Sequence, residues 1–376
     1  MDFNFTDDQE QLREAVRKWV AKGYSFERRR SIAQAGGFSR PAYSEFASLG
    51  LCGLTIAEAD GGMGLGSVEA MVVMEELGRG LVLEPLAQTL IASAVLSSHA
   101  SEAVKTQWLG AIAGGEALVV LAHQERAARY RLDVCAATAI QKNGSWRLNA
   151  SKSLVPAGDL ADAFLVPAKV GDQITLLLVQ RTAHGVSTRG YGTQDGGRAA
   201  ELICLNAEAT LITLDGLSAL EHGVDIGIAA LCAEAIGAMD QVMALTTDYM
   251  NTRKQFGVPI ASFQALRHRV ADMKMQLELA RSMSYYASLK LNAAPTDRRL
   301  ALARAKYQLG QSMRFVGQQA IQLHGGIGVT DEYSVSHYFK RLTQIELTFG
   351  DSLFQLGEVS NRMQATAGVF NSDPEA

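Results

Sequence analysis

The chain has little that would mark a specialised class of protein. Its four cysteines, Cys52, Cys135, Cys204 and Cys232, lie far apart and form no CxxC pair. That spacing excludes a cysteine-based zinc site and a disulfide framework, and it fits a reducing compartment. Neither sign of charge prevails: 35 Lys and Arg stand against 39 Asp and Glu, a net charge of −4. Nucleic acid and anionic membranes are therefore not expected as partners. The N-terminal MDFNFTDDQEQL is acidic, with no basic or apolar leader, so a cytoplasmic location is expected. No apolar run reaches the roughly 18 residues of a membrane span, and no repeat or low-complexity tract is evident. The length, 376 residues, suits two or three domains with a large core.

Three regions differ in hydrophobic period. Residues 1–116 are helical in character. Thr6 followed by Gln9 makes a capping box, with Leu12, Val16, Trp19 and Val20 at helical spacing behind it. From 117 to 215 the period shortens. Runs such as LVVLAH, CAATAIQ, WRLNASKSLV, AFLVPAKV, ITLLLVQ, ELICL and ATLITL alternate with turn signals. They predict a small antiparallel β-domain or barrel, with Asn143-Gly144 as its clearest hairpin. From 216 to 376 the helical period returns in long segments joined by short links, which predicts a bundle. Its last helix is interrupted at Phe349-Gly350-Asp351, and the tail from Ala367 reads as loose.

Within the bundle, Tyr249–Gln264 (YMNTRKQFGVPIASFQ) ends one helical pattern and starts another. Gly257 permits an unusual turn and Pro259 prevents the first helix from continuing. Arg253 beside such a corner could meet a diphosphate or could simply cap a helix, and spacing leaves both open. His123 and His324 lack partner motifs and read as structural; His268, between Arg267 and Arg269, reads as part of a solvated helix face.

The order of domains and three motifs resemble the acyl-CoA dehydrogenase family. In LGLCGLTIAEADGGMGLGSVEAMVVMEELGRG, Glu58, Gly61, Gly62 and Gly64 match its N-terminal signature, with Ala57 at the usual Pro. Arg253, Phe256, Gly257, Ile260 and Gln264 match a second motif; Gln322, Gly325, Gly326 and Gly328 match a third. The resemblance implies an N-terminal helical domain, a central β-domain and a C-terminal four-helix bundle. It also implies FAD, an acyl-CoA substrate and an electron-transfer flavoprotein as acceptor. Arg253, Phe256, Gln264, Gln322, Gly325 and Gly326 would contact the adenosine and diphosphate end of a flavin shared across a subunit interface.

The chain departs from that family where the chemistry is done. The usual base, a Glu in Tyr-Glu-Gly-Thr, falls on Gly350 of Phe349-Gly350-Asp351-Ser352. An alternative base position on the first bundle helix falls near Gly227, with Glu221 and Asp225 off register. The ring-side loop reads AHQERAARYRLDVC without Gly-Ser, and Leu154 and Pro156 replace a Trp and a Thr. Gln124, Arg126 and Arg129 are the groups that could compensate. Three readings stay open. Asp351 could be a re-aimed base, in a self-sufficient homo-oligomer. The chain could be the small, β-type subunit of a heterotetramer of the pimeloyl-CoA or steroid side-chain type, completing a homologous catalytic subunit's site. Or Asp351 could merely cap the following helix, which is compatible with the second reading; a structural partner subunit without flavin is a separate alternative.

Overall fold

The computed structural model describes residues 5–366, so the tail from Ala367 lies outside it. Six helices come first: α1 (Asp7–Gly23), α2 (Phe26–Gln34), α3 (Arg40–Ser48), α4 (Ser67–Arg79), α5 (Leu86–His99) and α6 (Glu102–Ala113). The capping box forms as expected: Thr6 Oγ1 accepts from the Gln9 amide at 3.3 Å, and Gln9 Oε1 accepts from the Thr6 amide at 3.0 Å. Glu76 on α4 is buried, and Arg17 of α1 reaches it at 2.8 Å, so α1 is pinned to α4 through charge as well as through Val16 and Val20.

The middle of the chain is β. Its strands are β1 (Val119–Leu121), β2 (Thr138–Lys142), β3 (Ser145–Pro156), β4 (Ala163–Val170), β5 (Gln173–Gln180), β6 (Val186–Gly192) and β7 (Arg198–Thr213). Pairing runs β4-β2-β3-β7-β5 and closes again from β5 to β4, so five strands form a ring, with β1 and β6 added outside it. Asn143 and Gly144 both have positive φ (53° and 81°) and join β2 to β3 as a two-residue turn. The expectation of an antiparallel barrel holds with a correction: β4 pairs in parallel with both β1 and β2. The two runs ELICL and ATLITL are one strand, β7, broken in register near Asn206 (φ 51°), whose amide donates to Asn149 Oδ1 at 2.8 Å. Strand β6 has no counterpart among the predicted strands, because VSTRGYG carries little apolar alternation and lies on an edge.

The helical period then returns as α7 (Gly216–Thr252), α8 (Gln264–Lys290), α9 (Pro295–His324), α10 (Ser334–Leu347) and α11 (Ser352–Thr366), with the two-residue strands β8 (Lys254–Gln255) and β9 (Val258–Pro259) between α7 and α8. Helix α7 is long and apolar enough to cross a bilayer by length and composition, with mean hydropathy of 1.5, but 78% of that window is buried in the protein. It is apolar on all sides because it is a core helix. The chain divides into two compact units, Met1–Ala238 and Met239–Ala376, and the division falls inside α7.

In the first unit two features set the packing. Arg29, 1% exposed, donates from Nε to the Leu81 carbonyl at 3.0 Å and from Nη2 to the Asp195 carbonyl, tying α2 to both the helices and the sheet. Helix α4 meets α7 at backbone distance: a Cβ at Gly237 would lie 1.7 Å from the Glu75 carbonyl oxygen. Gly237→Ala is therefore expected to force the helices apart and to lower stability by about 1–3 kcal/mol, read as a shift in the denaturant midpoint.

Candidate functional site

The corner after α7 is a miniature hairpin. Phe256 (φ 54°) and Gly257 (φ 82°) make the turn between β8 and β9, the geometry of a type I′ turn. The Arg253 amide donates to the Tyr249 carbonyl at 2.8 Å, and its own carbonyl accepts from Ile260 at 2.8 Å, so its backbone is fixed on both sides. The turn lifts Phe256 into solvent: it is 92% exposed, with its ring edge-on to Phe263 at 6.1 Å.

The end of α9 lies at the same end of this unit. Tyr249 of α7 stacks on His324 of α9 at 4.5 Å. Arg269 near the start of α8 donates to Gln319 near the end of α9 at 2.9 Å. After His324 the chain turns through Gly325 (φ 63°) into a 3-10 segment, Gly325–Val329. No atom lies within 4 Å of where a Cβ would stand at Gly325 or Gly326. The backbone there is open to an approaching group rather than crowded by its own fold. Arg253, Phe256, Gln264, Gln322, Gly325 and Gly326 are thus all exposed at one end of the second unit. Among the described residues, the side chains of Arg253, Gln264 and Gln322 form no hydrogen bond.

The corner between α10 and α11 is the opposite case, closed and fully bonded. Lys306 on α9 is 1% exposed, and its ammonium donates to the carbonyls of Ile345 and Glu346 at 2.8 Å and of Gly350 at 3.3 Å. It sits where a helix C-terminus concentrates negative partial charge. Gln355 Nε2 donates to the Phe349 carbonyl at 2.8 Å. Glu346, also buried, accepts from the Ser352 amide at 3.0 Å and hydroxyl at 2.8 Å. Asp351 caps α11, its Oδ1 accepting from the Phe354 amide at 2.9 Å. Gly350 has φ 107°, and a Cβ there would lie 2.6 Å from both Gln355 Nε2 and Phe354 Cδ1. The other carboxylates near the alternative base position lie on α7, where Asp225 is completely buried.

In the β-domain, Leu154 has φ 52° and is 48% exposed. Across β7 from this end of β3, Tyr191 donates to Glu201 at 3.4 Å, and burial pushes its pKa up. Arg126 reaches the same Glu201 carboxylate at 3.7 Å, Arg129 lies over the Tyr130 ring, and the Gln124 carbonyl accepts from Ser153. Beneath them is a buried cluster that sequence reading missed. Lys152, wholly buried, donates to Glu125 Oε1 at 2.6 Å, and Cys135 Sγ lies 3.8 Å from the ammonium. Burial, with a smaller contribution from the same lysine, pushes His123 down to about 4, so its imidazole is neutral near pH 7. Nothing in the spacing of Glu125, Cys135 and Lys152 announces this cluster; strand pairing assembles it.

Comparison with known proteins decides what this arrangement belongs to. The family model described as "Acyl-CoA dehydrogenase, N-terminal domain" matches residues 6–116, and "Acyl-CoA dehydrogenase, C-terminal domain" matches residues 215–364. The chain belongs to the acyl-CoA dehydrogenase family. The acyl-CoA dehydrogenase IpdE2 of Mycobacterium tuberculosis is 31% identical over 89% of this chain and 91% of its own. The probable acyl-CoA dehydrogenase YngJ of Bacillus subtilis is 27% identical over 94% and 97%. Among solved structures, a variant of the Tcur3481–Tcur3483 steroid ACAD superposes with a TM-score of 0.89 at 27% identity, covering 96% of this chain and 99% of that one. Glutaryl-coenzyme A dehydrogenase in its glutaryl-CoA complex, at a TM-score of 0.91 and 23% identity over 97% of each chain, shares the fold.

Acyl-CoA dehydrogenases are oxidoreductases whose cofactor is FAD, and the residues of this chain fit that cofactor unevenly. The exposed cation, unbonded amides and open glycine backbone at the end of α7–α9 fit an adenosine diphosphate. The residues that the resemblance sets at the ring side fit less well: Pro156 offers no backbone donor, and Arg126 faces Glu201 at 3.7 Å. Replacing Lys306 by Met would leave buried carbonyls unbonded at the α10–α11 corner. A loss of about 3 kcal/mol is expected, with faster amide exchange at residues 348–352 as the check.

Proposed function

We propose that this chain is the smaller, β-type subunit of a heteromeric FAD-dependent acyl-CoA dehydrogenase. It supplies the adenosine-diphosphate half of an FAD site whose ring is held by a homologous catalytic subunit. The assembly dehydrogenates an acyl-CoA thioester between its α and β carbons and passes the electrons to an electron-transfer flavoprotein in the cytoplasm. The likeness to a steroid ACAD that carries two chain names supports a two-chain assembly and a steroid acyl group as substrate.

One observation carries this reading. The corner where the family keeps its base has been rebuilt around a glycine, with Gln355 and Phe354 in the space a side chain would need. Proton abstraction from the substrate needs a carboxylate aimed at the α-carbon. Here the adjacent carboxylate, Asp351, is engaged as a helix cap. What this chain's residues do is bind and orient: Arg253 is placed to neutralise the diphosphate, Gln264 and Gln322 to donate to it, and Gly325–Gly326 to let it approach.

Co-expression with a homologous chain, followed by determination of FAD per pair of chains, tests the proposal. One FAD per pair is expected. Arg253→Ala in this chain should weaken FAD binding roughly tenfold to hundredfold, the worth of one charge-assisted hydrogen bond. Gly350→Glu should confer no dehydrogenase activity and should destabilise the chain. Asp351→Asn, which preserves the cap, should leave both stability and assembled activity unchanged. If the isolated chain binds one FAD, dehydrogenates acyl-CoA and loses this with Asp351→Asn, it is a self-sufficient enzyme instead. An active assembly that keeps its FAD affinity with Arg253→Ala would make this chain a partner without a role at the flavin.

A further inference from the structure

His324 has no role in the site as described so far, yet it stands at its centre. Its ring is 2% exposed. Nδ1 lies 2.8 Å from the Ala320 carbonyl, and a carbonyl can only accept, so Nδ1 carries the proton. Nε2 is then a bare lone pair, buried without a hydrogen-bond partner. The ring is enclosed by aromatic neighbours: Tyr249 is stacked on it at 4.5 Å and 29°, and Tyr333 is tilted against it at 5.2 Å and 47°. These contacts join the pieces of the half-site. The main-chain carbonyl of Tyr249 accepts from the Arg253 amide, so the residue whose ring stacks on His324 lies one helical turn before Arg253 at the end of α7. His324 is the last residue of α9, directly before Gly325. Tyr333 caps the start of α10.

We propose that His324 is the positioning residue of this half-site and makes it pH-sensitive. The neutral ring clamps the end of α7 that carries Arg253 to the Gly325–Gly326 turn, and a protonated ring releases it. The inference rests on the reading of these residues as half of an FAD site. A second proton could go only to Nε2, where no acceptor receives it. The titratable groups facing the ring are Tyr249 from α7 and Tyr333 ahead of α10, with Asp248 acting through Tyr333; the segment 325–329 brings none. Burial and Asp248 raise the Tyr333 pKa, which keeps that phenol neutral. Burial also pushes the imidazole pKa down, opposed by the Ala320 carbonyl. A lowered histidine pKa means that the opened form takes the proton first. The clamp is therefore complete above the ordinary histidine value of about 6.5 and is lost as pH falls below it.

The test compares the native protein with His324→Phe, which keeps a stacking ring without a proton site, and with His324→Leu, which keeps neither. In FAD titrations of the chain co-assembled with a homologous catalytic subunit, between about pH 7.5 and 5.5, native affinity is expected to fall roughly tenfold. The Phe variant should match native affinity at the upper pH and stay flat, and the Leu variant should be weak throughout. The same pH slope in native and Phe forms would overturn the proposal. Amide hydrogen exchange of segments 253–257 and 325–329 provides a readout independent of FAD. Exchange should accelerate at the lower pH in the native protein relative to the Phe variant, and equal exchange in both again overturns it. Absence of FAD binding to any form would instead remove the half-site reading, with the exchange comparison still deciding the role of His324.

Discussion

A buried ammonium must find an acceptor for each proton it carries, and two such groups govern the loops of this molecule. Lys306 spends its protons on the carbonyls of Ile345, Glu346 and Gly350, and so fixes the turn from α10 into α11. Lys152 is held by Glu125 and lies against Cys135, and so fixes the segment between β1 and β2. Removing either partner would strand a charge or several carbonyls in a medium that solvates them poorly. The chemistry available at each loop follows from what these lysines hold in place. One corner is closed around a glycine, and near Leu154 the Glu201 carboxylate takes up both Tyr191 and Arg126.

The end of α7–α9 follows the reverse logic. Among the described residues the side chains of Arg253, Gln264 and Gln322 are unbonded and Gly257, Gly325 and Gly326 stand in open space, while the scaffold behind them is stiff: a two-residue turn, a backbone bonded on both sides of Arg253, and the packed rings of Tyr249, His324 and Tyr333. Rigid support with unspent donors is how a protein surface is prepared for an anion. Within one chain, then, one set of positions is made ready for a ligand and another is closed to it. A shared site divides its labour in the same way.

Much of this was legible in the residues. Period, caps and turn residues located the helices, the barrel and the Asn143–Gly144 hairpin, since each is a local property of a few neighbouring side chains. The motifs around Arg253 and Gly325 were legible because they are contiguous. What escaped was non-local. The Lys152–Glu125 pair joins residues 27 apart in sequence and Lys306 reaches carbonyls some 40 residues on, and a carbonyl carries no sequence signature. Strand β6 was missed because its order comes from β7 and not from its own pattern. His324 read as a structural residue. Its burial agrees with that, but only the stacked tyrosines show which pieces it joins.

The crowding at Gly350 also has a meaning in descent. With Gln355 and Phe354 in the space beside it, a single substitution that adds a side chain at position 350 would either strain the corner or displace Gln355 and leave the Phe349 carbonyl without that donor. Stability therefore opposes a carboxylate arriving at position 350 in one mutational step, whatever it could do there.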